Sequence, residues 1–72
     1  MRYAVIIERA KSNYSAYVPD LPGCVATGKS VEETETRLKK AILMHIEGLQ
    51  EDGLPIPEAT SLCEYVDTSA TL

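Results

Sequence analysis

The sequence predicts an α+β fold in the order β-β-β-α-β: a four-stranded mixed sheet, strand order 3-2-1-4, with one long helix on one face. Three observations lead there. Short segments near both ends of the chain are rich in β-branched and aromatic residues. One apolar stripe of helical period runs from residue 31 to about residue 52. Proline, glycine and asparagine clusters separate these segments.

Residues 2–9 read as the first strand. Apolar groups lie on both alternating sets, Tyr3/Val5/Ile7 and Ala4/Ile6, as in an inner strand covered on two sides. Lys11-Ser12-Asn13 is turn chemistry, and Tyr14 to Val18 form a second strand, antiparallel to the first because the connection is so short. Pro19 to Gly23 make a rigid turn in which Pro22-Gly23 suits the centre of a type II turn. Cys24 to Thr27 are a short third strand, broken by Gly28-Lys29.

Ser30-Val31-Glu32-Glu33 opens the helix as a capping box, Ser30 accepting from the Glu33 amide and Glu33 reaching back to the Ser30 amide. The helix is expected from Val31 to about Asp52, with Gly53 as its left-handed stop and Leu54 just beyond. Pro55 and Pro57 prevent its continuation. Val31, Leu38, Ala41, Ile42, His45, Ile46 and Leu49 form the sheet-facing stripe; Leu43 and Met44 fall outside it. Residues 61–66 alternate as a last strand, Leu62, Glu64 and Val66 against Cys63 and Tyr65. A helix returning from a three-stranded meander makes a right-handed crossover, which would lay this strand parallel to the first and outside it.

A chain of 72 residues is one domain, and at this size it buries only about 60% of the surface its unfolded form exposes. With 44% hydrophobic and 25% charged residues it is an ordinary folding composition. The net charge of −4 argues against direct nucleic-acid binding, which needs a Lys/Arg field, and favours a basic protein partner. No secretory leader or apolar run of membrane-spanning length is legible, so a cytoplasmic protein with Cys24 and Cys63 reduced is expected. The helix is longer than the strands and covers one sheet face, which leaves apolar surface bare. A homo-oligomer is therefore expected, with Leu43 and Met44 as candidate contacts.

Reactive groups are sparse. The single histidine, His45, lies mid-helix, so a serine nucleophile has no base there. Cys24 stands a few residues before the helix start, but a buried thiol behaves as a small hydrophobe. The β-β-β-α-β order resembles that of a truncated RNase H fold, whose chemistry needs carboxylates converging on metal ions. Glu8, Asp20 and Glu64 do not converge in that way, and the first strand has Val5-Ile6 at its centre. No catalytic residue, cofactor or metal site is expected. Arg37, Lys39 and Lys40 read as a solvated helix face.

The segment Tyr17-Val18-Pro19-Asp20-Leu21-Pro22-Gly23-Cys24, followed by Thr27-Gly28 and by Ser30-Val31-Glu32-Glu33, resembles the HicB-like antitoxins. Residues 47–57, with Gly48, Gly53, Pro55 and Pro57, look like the same family's helix exit. The likeness covers residues 2 to 66. It implies a degenerate RNase H-like fold without nuclease activity. It also implies a function: neutralising a small basic HicA-like toxin that cleaves mRNA, by steric occlusion of its active site. Many relatives of this kind carry a C-terminal DNA-binding module. Here residues 1–67 are read as one antitoxin domain and 68–72 as a tail, without such a module.

Two functions follow as expectations. The first is an antitoxin-type binding module with Glu8, Tyr14, Tyr17, Asp20 and Leu21 as partner contacts, an acidic and aromatic set. The second is an orphan scaffold or ligand-binding domain that only self-associates.

Overall fold

The computed structural model describes residues 1–69. Strands β1 (Ile6–Arg9), β2 (Tyr14–Tyr17) and β3 (Val25–Gly28) are followed by helix α1 (Val31–Glu51). The sheet is antiparallel throughout, in the order β1-β2-β3. Ile7, Ala16 and Ala26 stand in one cross-strand row, and Ile6, Tyr17 and Val25 in the next. Because side chains alternate along a strand, the two rows point to opposite faces.

The inner face carries the core. Ala16, Val18, Leu21, Cys24 and Leu38 are buried, with Tyr3, Val5, Ile7, Ala26, Ala41 and Ile42 packed against them. Leu21 reaches this core from a loop because two successive turns fold it inward. The Leu21 amide donates to the Val18 carbonyl (3.1 Å) and the Cys24 amide to the Leu21 carbonyl (3.1 Å). Gly23, at φ +84°, supplies the left-handed residue that the second turn needs. The Val18 amide donates to the Cys24 carbonyl at 3.2 Å and closes the loop.

The β3–α1 junction is equally tight. Ser30 Oγ accepts from the Glu33 amide at 3.0 Å, as the capping box requires. Glu33 differs from expectation: its carboxylate accepts from the Lys29 amide (3.1 Å), one residue earlier than the Ser30 amide. Thr34 is fully buried, its hydroxyl donating to the Ser30 carbonyl at 2.7 Å. Gly28 lies so close beneath that a Cβ there would come within 2.6 Å of Thr34 Oγ1. At the other end Gly53 (φ +67°) stops the helix. The Gly53 amide donates to the Gln50 carbonyl (3.1 Å) and the Leu54 amide to the Leu49 carbonyl (2.9 Å), the paired bonds of a Schellman motif.

The expected four-stranded sheet of order 3-2-1-4 is not formed. The sheet has three strands, β1 lies at its edge, and residues 61–66 belong to no strand. Two physical causes are visible. The helix packs on β3 and β2, so a strand outside β1 would have no helix to bury its apolar side chains against. The root of the segment is held instead by Asp20, whose carboxylate accepts from the amides and hydroxyls of both Thr60 and Ser61 at 2.8–3.2 Å. Beyond that hook, Cys63 Sγ donates to the Val5 carbonyl at 3.6 Å, while Leu62, Tyr65 and Val66 stay exposed. A segment that buries so little does not offset the entropy of ordering a strand. Of the expected tail, residues 70–72 lie outside the described residues.

Candidate interaction site

The outer face of the sheet has no helix over it. Its central row runs Ile6, Tyr17, Val25 across all three strands. Ile6 is half-buried, Tyr17 is 41% exposed and Val25 63%. The neighbouring row is polar: Glu8, Ser15, Thr27. With strands about 4.8 Å apart, the apolar row is about 10 Å wide. An apolar stripe beside a carboxylate and small hydroxyls has the chemistry of a protein contact, an aromatic anchor with a polar margin.

The structure brings two of the five expected contacts together on this face. Glu8 is exposed, and Tyr17 lies diagonally across from it on β2. The other three go elsewhere. Tyr14 pairs with Arg9 and Gly28 and alternates with Ala16 on the inner side, where it is half-buried. Asp20 is engaged with Thr60 and Ser61, and these bonds, the Ser61 amide first, hold its carboxyl below the usual value of 3.8. Leu21 is 0% exposed and has no surface to present. Ile6 and Val25 were not among the expected contacts. Alternation could have found them, because both lie between residues that face the core.

On the helix, Leu43 and Met44 are 56% and 70% exposed. Met44 lines a recess of about 340 Å³ with Val25, Ala41 and His45, at the β3 edge; Leu43 is not part of it. Met44 therefore extends the apolar row around that edge.

Reactive groups stay apart. Cys24 is buried, and burial pushes its thiol above the ordinary value, which leaves it a weak nucleophile. Cys63 is exposed and free. Among the described residues no three His, Cys, Asp or Glu side chains come together to hold a metal ion, and no helix is long and apolar enough to cross a membrane. This arrangement offers surface for a contact.

A family described as HicB_like antitoxin of bacterial toxin–antitoxin system matches residues 3–70. An uncharacterised 14.9 kDa protein from the rep-hol intergenic region of Haemophilus phage HP1 is 36% identical over 67 residues, 93% of this chain and 50% of the phage protein. The chain thus spans half the length of that relative. A UPF0150 protein of Thermoplasma acidophilum is 40% identical over 58 residues, 79% of this chain and 84% of its own. Among solved structures, a chain of a HicA3 and HicB3 toxin–antitoxin complex superposes with a TM-score of 0.66 and 29% identity, covering 76% of this chain and 64% of that one.

Proposed function

This chain belongs to the HicB-like antitoxin family of bacterial toxin–antitoxin systems, and from that premise we propose that it neutralises a small HicA-like mRNA-cleaving toxin by sterically occluding the toxin's active site. Occlusion asks for surface rather than reactive groups. The observation that carries the reading is the bare outer row Ile6–Tyr17–Val25 with Glu8 at its margin, on a chain of net charge −4. Tyr17 and Val25 are the apolar anchors, and Glu8 is the charged contact. Leu21 and Asp20 serve the site indirectly, by shaping the turn that joins β2 to β3. Residues 1–67 act as the binding domain.

The test is co-expression with the small basic reading frame beside the gene. A stable complex and restored growth are expected, and Val25→Asp should abolish both while the purified variant keeps its helical circular dichroism. A gene with no basic neighbour of under about 100 residues, a single small domain, or a neighbour whose toxicity this chain leaves untouched, removes the reading.

A second reading, self-association, is favoured by the exposure of Leu43 and Met44. Leu43→Asp/Met44→Asp should then lower the solution mass toward the 7.9 kDa monomer in light scattering. An unchanged mass excludes this helix face as the contact.

A further inference from the structure

We infer that the open side of the sandwich, between the segment leading into β1 and the first half of α1, is a second docking point for the toxin: a groove that takes a lysine or arginine side chain. The inference rests on the antitoxin reading above.

The groove exists because α1 is displaced toward β3. Tyr3 and Val5, just before β1, keep an uncovered flank, and a groove of about 530 Å³ opens there. Its floor is apolar, formed by Tyr3, Val5, Leu38 and Ile42. Its rim carries Glu32 and Glu35, with Lys39 as the single cation. The third acid of the first helical turns, Glu33, is committed elsewhere. It pairs with Arg37 at 3.2 Å, and Arg37 also donates to the Thr27 carbonyl (3.0 Å) at the β3 end. Glu32 and Glu35 form no ion pair among the described residues. The floor is held in place at Tyr3, whose hydroxyl donates to the Pro57 carbonyl at 2.6 Å.

An apolar floor below two unpaired carboxylates matches one kind of side chain. Lysine and arginine lay an aliphatic stem on apolar surface and carry a cation at its tip. A protein that must hold RNA phosphates is rich in both. Competing occupants meet the wrong charge. A second copy of this chain brings the same net −4, and like charges across an interface cost affinity. The chain's own segment beyond Ser61 carries Glu64 and Asp67.

The test uses the purified chain and the catalytically inactivated toxin from the adjacent reading frame. Glu32→Gln/Glu35→Gln removes both rim carboxylates at exposed positions and leaves Lys39 in place. Thr36→Trp fills the groove from its rim without changing charge. The carboxylate-free variant should bind roughly three- to tenfold more weakly at low salt and converge on wild type as salt rises, as exposed charge pairs do. The filled variant should bind more weakly at every salt concentration. Amide shifts of Val5, Glu35 and Ile42 should move on toxin addition, which reports on the wild-type chain whatever the variants do. Toxin binding with unmoved groove amides and unchanged affinity in both variants overturns the groove and leaves the antitoxin reading standing. Absence of any toxin binding by the wild-type chain overturns both.

Discussion

The two faces of this sheet are made from the same twelve strand residues, taken alternately, and they have opposite fates. Ala16 and its row neighbours Ile7 and Ala26 face the helix and belong to the core or pack against it. Ile6, Tyr17 and Val25, each one step along the chain, face outward and form the apolar row that the sheet leaves without a helix over it. The inner row has smaller side chains and is shielded, and the outer row has larger side chains and is partly exposed. In a domain this small, one helix can cover one side, and the other side is available for a partner. The lesson is that apolar content alone does not identify the core; which row a residue occupies decides its role.

The contrast can be broken most severely from the inside. Leu38 is almost fully buried, and Leu38→Ala should cost about 2–5 kcal/mol, transfer plus cavity, a large share of the whole stability. Urea denaturation measures it, and a loss below the cost of a surface change would show that the helix is not the main cover of the sheet. On the outer face the expected split is reversed. Val25→Asp should leave stability within about 0.5 kcal/mol, as an exposed substitution does, while binding of the proposed toxin partner is lost. A matching loss of stability would mean that this row belongs to the fold rather than to a partner.

Smaller effects sharpen the boundary between locked and loose regions. Ser30→Ala removes the acceptor for the Glu33 amide and should cost about 1 kcal/mol in the same denaturation assay. The weakest effect concerns acid. Asp20 has its folded-state pKa held below 3.8 by Ser61 and Thr60, so its contribution is complete above the unfolded value and lost as pH falls through the folded one. The protection factors of the Thr60 and Ser61 amides, taken relative to intrinsic exchange at each pH, should fall in that window, and Asp20→Asn should lower them already at neutral pH. Amides that stay protected to the lowest pH would show that something other than this carboxylate holds the segment.

The elements that could be read from sequence are those whose cause is local. The Ser30 cap, the Gly53 stop and the Pro22-Gly23 turn each depend on a few neighbouring residues, and each forms as expected. Residues 61–66 show the opposite case. Their alternation is strand-like, but pairing depends on whether a helix covers the far side of β1, and α1 lies over β2 and β3 instead. The candidate contacts divide the same way. Glu8 and Tyr17 reach the surface by strand alternation. Leu21 and Asp20 are withdrawn by contacts with Val18 and Cys24, and with residues 60 and 61, forty positions away.

Taken by itself, the sequence determined the three-strand meander, the long capped helix and its ends, and the scarcity of reactive groups. Propensity, capping and turn chemistry act within a few residues, so they are written in order along the chain. The tertiary structure alone decided the sheet's edge, the reach of the helix and the surface left open. Those outcomes are set by where a rigid helix comes to rest on a twisted sheet, a balance of packing over the whole domain that no short stretch of residues carries.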